Sequence, residues 1–210
     1  ASDVYKRQGI YTMRDGTTKN GRYFGTTTVP AKADQDKYVF LPAAGSRISG
    51  SCSLAGTSGL YWSATLNTSN TDYACSLYFY SGDCYVVDNN CDYGFSLRCV
   101  KDIPLPAHCI DIGLDFYVAD GNVTATKEAD GSLSYAFADE QGYYSGKADG
   151  GDLFCWNTDD PFAFNVKQPS WDDARDPCRN VGDGKWRTPT DAELKKMIDA
   201  GNVWGEEIYT

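Results

Sequence analysis

The stretch Ala74-Cys75-Ser76-Leu77-Tyr78-Phe79-Tyr80 alternates between two kinds of side chain. In an extended chain, its odd-numbered positions place Cys, Leu and Phe on one face, and its even-numbered positions place Ser and Tyr on the other. Ser81-Gly82-Asp83 follows as a turn signal, so residues 84–87 are predicted to return as a second strand. The middle of the sequence is therefore predicted to be a β-hairpin with one apolar face and one face that carries tyrosines.

Further strands are predicted on both sides of this hairpin. Residues 38–41, 95–99 and 109–114 are short apolar or alternating runs that are typical of strands. Residues 46–59 are rich in Gly and Ser and are predicted to be a loop, and residues 120–152 are predicted to be loops and hairpins. The sequence before about residue 150 thus indicates a β-rich structure.

Two helices are predicted in the last third of the sequence. Ser170 is the predicted N-cap of a short helix that ends near Pro177. Thr190-Asp191-Ala192-Glu193 has the pattern of a capping box, with the threonine as N-cap and the glutamate at the third helical position. Apolar residues at positions 194, 197 and 198 have helical spacing, and Gly201 is predicted to end the helix. Helices after many strands place the chain in the α+β class.

Charge and composition exclude two classes of partner. The 210 residues carry a formal net charge of -10, which repels phosphate backbones and anionic lipid and argues against nucleic-acid partners. No apolar run approaches the roughly 20 residues that a membrane span needs, so no membrane insertion is predicted. The 15 tyrosines suit a binding surface, because their rings offer large contact area at a small entropic cost.

Cysteine usage favours disulfides and an oxidising compartment. None of the eight cysteines forms a C-x-x-C pair, and His108 is the only histidine in the sequence, so no metal site is predicted. An even cysteine count without metal spacing indicates an extracellular or cell-surface protein, while the connectivity stays open. His108 beside Cys109 does not make a nucleophile, base and orienting group, so no catalytic residues are predicted and the chain is not expected to be an enzyme.

A short repeat governs the predicted domain organisation. Ile10-Tyr11-Thr12 recurs as Ile208-Tyr209-Thr210, which indicates one period of a tandem array. Residues 1–8 fit none of the later patterns and resemble a translation or assembly scar of a metagenomic fragment, so we set them aside. We predict two half-modules, residues 9–103 and residues 104–210. A stiff prolyl connector at residues 103–107 joins them.

Motifs in both predicted half-modules resemble the Fibrobacter succinogenes major paralogous domain. Asp176-Pro177-Cys178, the sequence GKWRTPT at residues 184–190 and Glu193 are similar to the front half of that family. The sequences FLPAAG at 40–45, GLYWS at 59–63 and GFSLRCV at 94–100 are similar to its back half. The resemblance implies a C-type-lectin-like fold in a surface or secreted protein of gut bacteria, with the two halves here in circularly permuted order.

The same resemblance bears on how the halves are held together. Cys99 and Cys178 belong to one family motif each, and the resemblance implies that a disulfide between them can bridge the halves. Two arrangements stay open at this point: the halves close on each other within one chain, or each half swaps with a neighbouring module of the same array.

Composition between Ser63 and Leu97 suggests a diversified segment. It contains no Lys, Glu, Gln, Met or Trp and is crowded with Asn, Asp, Tyr, Ser, Cys and Gly. This pattern resembles the variable segments that diversity-generating retroelements produce in lectin-fold proteins of gut bacteria or their phages, where adenines in AAC-like codons are randomised. A Ser/Asn/Tyr-rich β-surface of ordinary origin would have a similar composition, and both readings remain.

The candidate ligand-binding residues are the polar and tyrosine side chains of this segment. Tyrosine rings can stack on apolar or sugar faces, while Asn, Asp and Ser satisfy hydrogen bonds at the rim. The sugar-binding calcium site of C-type lectins is not predicted, because Gln168-Pro169-Ser170 and Trp156-Asn157-Thr158 miss its key oxygens. Asp88, Asn89, Asn90 and Asp92 could form an oxygen cage for calcium, but the pattern favours a solvated loop, and no cofactor is expected. The candidates are Asn67, Ser69, Asn70, Asp72, Tyr73, Tyr78, Tyr80, Asp83, Tyr85, Asp88, Asn89, Asn90, Asp92 and Tyr93.

These observations favour an adhesin-like module that binds a protein or glycan ligand on another cell or surface. The main alternative is a structural spacer or fimbrial-type subunit of a tandem-repeat surface protein, in which the same residues would be buried against a neighbouring module. An oxidoreductase or hydrolase on the same fold is the least supported reading, because fold alone does not transfer activity.

Overall fold

The computed structural model describes residues 18–102, 108–138 and 151–208, which form a mostly β domain with one α-helix. The predicted scar at residues 1–8, the connector at residues 103–107 and, apart from Ile208, the repeated Ile-Tyr-Thr motif lie outside the described residues. The strands are β1 Thr18–Phe24, β2 Val39–Pro42, β3 Ser46–Ile48, β4 Ser51–Ser53, β5 Ser58–Leu66, β6 Tyr73–Tyr80, β7 Cys84–Asn90, β8 Val100–Lys101, β9 Cys109–Ile110, β10 Tyr117–Ala119, β11 Val123–Lys127, β12 Leu133–Phe137 and β13 Asn202–Ile208, and the helix is α1 Asp191–Asp199.

The predicted central hairpin is confirmed and belongs to a three-stranded antiparallel sheet in the order β5-β6-β7. Leu77 of β6 lies opposite Tyr61 of β5 and Val86 of β7. The return strand runs three residues past its predicted end, to Asn90. Strand β5 was not predicted from its periodicity, because its first six residues are buried on both faces and give no alternation.

The first and last described strands are neighbours in a second antiparallel sheet with the order β13-β1-β2. Thr18 lies opposite Ile208 and Gly21 lies opposite Gly205. Gly21 is required here, because a Cβ atom at this position would lie 2.3 Å from the carbonyl oxygen of Leu41. The residues before the connector and those after it are therefore joined within one chain by a continuous ladder.

The loop predicted over residues 46–59 was wrong. Strands β3 and β4 form a tight hairpin in this segment, with Ile48 opposite Ser51, and β5 already begins at Ser58. Ser49 and Gly50 both have positive φ, 50° and 81°, which is the geometry that a two-residue type I′ turn requires. The small residues that suggested an irregular loop thus allow the hairpin to close.

The strand predicted over residues 95–99 was also wrong as a regular element. Residues 95–99 are buried throughout and are held by single bridges, from Phe95 to Phe154 and from Ser96 to Tyr61. A segment surrounded by protein on all sides has no solvent face, so its alternating pattern does not define a strand.

After the connector, one predicted strand is shorter than expected and one predicted hairpin is present. The strand predicted over 109–114 stops at Ile110, because the Asp111 carboxylate accepts the N–H of Gly113 and starts a turn. The predicted hairpin within residues 120–152 is present as β11 and β12, and residues 139–150 of that range lie outside the described chain.

The helical predictions had different outcomes. The capping box is confirmed: the Thr190 side chain accepts the N–H of Glu193, and the glutamate side chain accepts the N–H of Thr190. The earlier helix was wrong, because Asp172 rather than Ser170 caps a single 3-10 turn over Asp173–Arg175. Pro177 does not end a helix but begins a second 3-10 turn, which matches the preference of proline for a first helical position.

Each of the two buried clusters contains residues from before and from after the connector. Trp62 and Phe95 pack in one cluster with Trp156, while Phe79 packs in the other with Leu194 of α1. A disulfide joins Cys99 to Cys178, with both side chains fully buried, as the family resemblance implied. In the described residues, no helix is long and apolar enough to cross a membrane.

The β1–β13 pairing makes a testable prediction about the permuted order. The test is a circular permutant in which a short glycine-containing turn joins Ile208 to Thr18 and the chain is opened within residues 103–107. It is expected to fold and to give the same near-ultraviolet circular dichroism spectrum as the parent protein. Its free energy of unfolding in urea should lie within about 1 kcal/mol of the parent value, because the new turn joins adjacent antiparallel strands. A control opened in the middle of β6 should not fold. An unfolded permuted chain would contradict the half-module interpretation.

Candidate binding site

None of the fourteen candidate residues is buried. Eight are exposed and six are of intermediate exposure, whereas the framework residues Trp62, Leu77, Phe79 and Phe95 in and around the same segment are almost completely buried. The β6–β7 hairpin thus divides the segment between a packed scaffold and a solvent-accessible set. The accessible set does not form one surface, because its members leave the sheet in different directions.

Three tyrosines form the largest group, which we call the tyrosine face: Tyr78, Tyr80 and Tyr85. Tyr78 lies opposite Tyr85 on the neighbouring strand, and the ring centroid of Tyr78 is 5.4 Å from that of Tyr85 and 6.0 Å from that of Tyr80. Tyr80 and Tyr85 are 39% and 41% exposed, and exposed Val87 follows on the same face of β7. These contacts between the rings restrict the orientation of the ring planes in the absence of a ligand.

Electrostatics at the tyrosine face are mild. Loss of water around the Tyr85 phenol, followed by the neighbouring Tyr78 and Tyr80 phenols, raises the pKa of Tyr85. The hydroxyl is therefore neutral at physiological pH and can both donate and accept a hydrogen bond. Asn89 extends the same face and is fixed by its side-chain amide, which donates to Ser76 Oγ at 2.8 Å.

Asp88 and Asn67 lie on the opposite side of the sheet. Asp88 lies two positions after Val86 in β7, so the two side chains are on the same face of the strand. Val86 packs against the buried cluster that contains residues of α1. The Asp88 carboxylate accepts the Asn67 amide at 2.6 Å and the Cys75 thiol at 3.1 Å. These two candidates therefore cannot contact a ligand together with the tyrosine face unless it reaches around the edge strand β7.

The remaining candidates belong to turns at the ends of the hairpin. Several of their polar atoms shape those turns: Asn67 Oδ1 accepts the N–H groups of Ser69 and Asn70, and Asp83 Oδ1 accepts the N–H of Cys84. Exposed Asp72 lies 3.4 Å from the Lys167 ammonium. Tyr73 and Asn90 are paired at the ends of β6 and β7, and Asp92 and Tyr93 follow β7; Tyr73 is exposed and the other three are half-buried.

The cysteines of the variable-looking segment are free thiols in this structure. Burial raises the pKa of Cys75, Cys84 and Cys91 to about 12 in each case, and Asp88 adds to this effect at Cys75. These thiols are almost fully protonated at neutral pH, so they lack the thiolate character of a reactive cysteine. Within the described residues, no group of three or more His, Cys, Asp or Glu side chains is placed to hold a metal ion.

The motif at residues 176–193 is a structural clasp. Asp176 is fully buried, and its carboxylate accepts the Cys178 N–H, the Thr188 N–H and the Thr188 hydroxyl at 2.8–3.0 Å. Arg187 makes two hydrogen bonds to Glu193, at 2.6 and 2.8 Å, and one to Asp102 at 2.6 Å. The clasp connects the start of α1 to the disulfide and to the chain just before the connector.

The Arg187–Glu193 pair predicts a specific pH dependence. Burial alone would raise the pKa of Glu193, but hydrogen bonds from Arg187 and Thr190 outweigh burial and lower it. Its stabilising contribution is therefore present above the unfolded pKa, about 4.3, and is lost as the pH falls through the lower folded pKa. Glu193→Gln is expected to reduce the free energy of unfolding by about 2 kcal/mol at pH 7.

Urea titrations at pH 7 and at pH 3 check this expectation. The difference between the parent protein and Glu193→Gln should narrow at the lower pH, since both side chains are then uncharged in the unfolded chain. Asp115→Asn removes an exposed ion pair with Lys196 and is the matched control, for which a much smaller change is expected. A difference that is equal at both pH values would show that the charge of Glu193 does not stabilise the clasp.

A cavity that the sequence did not predict lies beside the clasp. Its volume is about 370 Å³, and its walls include Ala64 of β5, Trp171, both 3-10 turns and the first turn of α1. Ala64 lies more than 100 positions before the other lining residues in the sequence, and the one sequence feature that could have indicated the cavity is Trp171 in a polar segment. A wider and more polar depression of about 740 Å³ borders Tyr135 and Asn180.

Comparison with known proteins adds one partial match. A family described as a domain of unknown function (DUF8237) matches residues 30–100. The matched range contains β2 to β7 and therefore the whole tyrosine face. No curated protein and no solved structure matches the chain.

Proposed function

We propose that this chain is an extracellular binding module, adhesin-like, that contacts a protein or glycan ligand of another cell through the tyrosine face. The observation that carries the proposal is the pair of exposed tyrosines Tyr80 and Tyr85, which contact the half-buried Tyr78 on a sheet whose opposite face is packed against the helix. Exposed aromatic rings on a rigid strand pair lose little conformational entropy on binding and bury a large area.

The shape of the face favours a large ligand. Tyr80, Tyr85 and Val87 are exposed side by side on strands rather than around a cavity, and a flat surface buries enough area only against another extended surface. Polar candidates at the two ends of the hairpin would supply the rim hydrogen bonds. The disulfide supports an oxidising compartment, because such bridges are rare in the cytosol.

The proposal includes a fold and an origin for the surface. We propose a C-type-lectin-like fold in circularly permuted order, supported by the β1–β13 ladder and by a disulfide between the two motifs that carry the family resemblance. We further propose that a diversity-generating retroelement varies the segment between residues 63 and 97. The support is that every candidate position there is accessible while the framework residues between them are buried.

A binding screen tests the function. The labelled protein is applied to an array of immobilised glycans and to intact bacterial and epithelial cells, and bound label is measured by fluorescence. Selective binding that is lost on removal of the tyrosine rings supports the proposal. If no surface binds and the protein instead self-associates in sedimentation experiments with the tyrosine face protected, the structural-spacer function is the better account.

A further inference from the structure

The cavity beside the clasp is separate from the tyrosine face and has the features of a small-molecule site. It lies between the end of β5, where Ala64 donates its N–H to the Pro189 carbonyl, and the 3-10 turns Asp173–Arg175 and Pro177–Asn180. Its volume of about 370 Å³ is near the lower end of ligand pockets in proteins, about 300–1,000 Å³. The space is large enough for one or two sugar-sized rings.

One wall of the cavity is an indole ring held in a fixed orientation. The Trp171 ring packs against the buried Trp156 ring at an angle of 57°, with the centroids 5.5 Å apart, and its Nε1–H donates to Asp173 Oδ1 at 2.8 Å. Because both the ring plane and the ring nitrogen have partners within the protein, the ring needs little ordering on binding. Trp171 is only half-buried, so an apolar face remains available to a ligand.

Two arginine–carboxylate pairs also line the cavity, together with the buried carboxyl group of Asp176. Arg187 is bound by Glu193 through two hydrogen bonds, and Arg179 lies 3.6 Å from Asp173. A guanidinium has five N–H donors and a carboxylate about four acceptor positions, so Arg187 and the Arg179–Asp173 pair retain free positions. Glu193 retains none, because its carboxylate accepts two hydrogen bonds from Arg187 and two from Thr190. The cavity therefore offers donors from both arginines and acceptors from Asp173. Its lining has three carboxyl groups against two guanidinium groups, so it has no excess of positive charge that would select an anion.

We propose that this cavity binds a neutral pyranose, as a single sugar or as one unit of a polysaccharide. One apolar face of the sugar ring lies against Trp171, and its hydroxyl groups, which both donate and accept, bind the Arg179–Asp173 pair and the Arg187 guanidinium. The site is independent of the tyrosine face, so a ligand on one is not required by the other.

Saturation-transfer NMR on the full chain tests the proposal with methyl glycosides of glucose, galactose, mannose and N-acetylglucosamine. At least one of the four is expected to bind, with a Kd on the order of 1 mM. Trp171→Ala should weaken that binding by about tenfold or more, whereas Trp171→Phe, which keeps a ring in place and guards against a folding defect, should stay within about threefold. Absence of transfer from all four glycosides, or unchanged binding by Trp171→Ala, would overturn the assignment.

Two further comparisons test where the sugar binds and whether the site prefers a charged ligand. Tyr85→Ala should bind the glycoside as the parent protein does, and a loss of binding would place the sugar on the tyrosine face instead. Methyl glucuronide has the glucose ring with an added carboxylate, and it is expected to bind no better than the glucoside. Binding about tenfold tighter would show that an arginine is free for an anion and that the neutral-ligand assignment is wrong.

Discussion

Replacement of both Cys99 and Cys178 by alanine is expected to lower the free energy of unfolding by about 4 kcal/mol. The bridge spans 79 residues, and closing a loop of that length removes about this much entropy from the unfolded chain. Both side chains are fully buried beside Trp186 and Val181, so the small cavities left by the sulfur atoms add to the loss. The corresponding fall in Tm is about 10 °C.

Denaturant titration of the double variant measures this effect, with Cys52→Ala as the control. Cys52 is a free and exposed thiol, so its replacement should change the free energy of unfolding by no more than about 0.5 kcal/mol. The parent protein in strong reductant should approach the double variant. A double variant within about 1 kcal/mol of the parent would show that the bridge does not hold the two halves together.

The double substitution Tyr80→Ala/Tyr85→Ala is expected to weaken ligand binding by at least about 30-fold, equivalent to about 2 kcal/mol. Both rings are exposed and contact Tyr78, so their removal takes away contact area and loosens the ring that remains. The fold should tolerate the change, since Arg22 is held by the backbone carbonyl of Tyr80 rather than by its side chain.

Surface plasmon resonance against the ligand identified by the binding screen is the measurement. Tyr80→Phe/Tyr85→Phe separates ring area from hydroxyl hydrogen bonds and should retain most of the affinity if stacking dominates. Thr126→Ala/Lys127→Ala changes two exposed residues of β11 and serves as the control away from the face. Equal affinities for the alanine double variant and the control would exclude the tyrosine face as the ligand contact.

Local sequence signals predicted the elements whose stability is local. The alternation in β6, the Ser81-Gly82-Asp83 turn and the capping box of α1 each involve residues within one or two turns of chain, and all three are confirmed. The same alternation predicted that Tyr78 and Tyr80 lie on the face opposite Leu77 and Phe79, whereas the candidates at the ends of the hairpin were chosen by their composition. The division of those positions between two faces follows from it too, since Asp88 is out of phase with Tyr85 and Asn89 in β7.

Elements fixed by distant partners were not predictable in the same way. Residues 95–99 are shaped by Phe154 and Tyr61, and β1 is shaped by β13 at the other end of the described chain. The cavity beside the clasp joins Ala64 to residues after 170. No window of a single sequence contains both sides of such contacts, so the pattern of one side alone leaves the outcome open.

The most direct test of the central claim, a diversified binding surface on this hairpin, is a codon-by-codon map of substitutions across natural copies of the gene. The comparison must be between equally exposed positions, because any protein tolerates more change at its surface. Our account predicts that amino-acid changes at accessible positions of 67–93 exceed those at exposed positions of β11 and the 26–38 segment several-fold, with Leu77 and Phe79 invariant. Equal rates at exposed positions inside and outside 67–93 would contradict it.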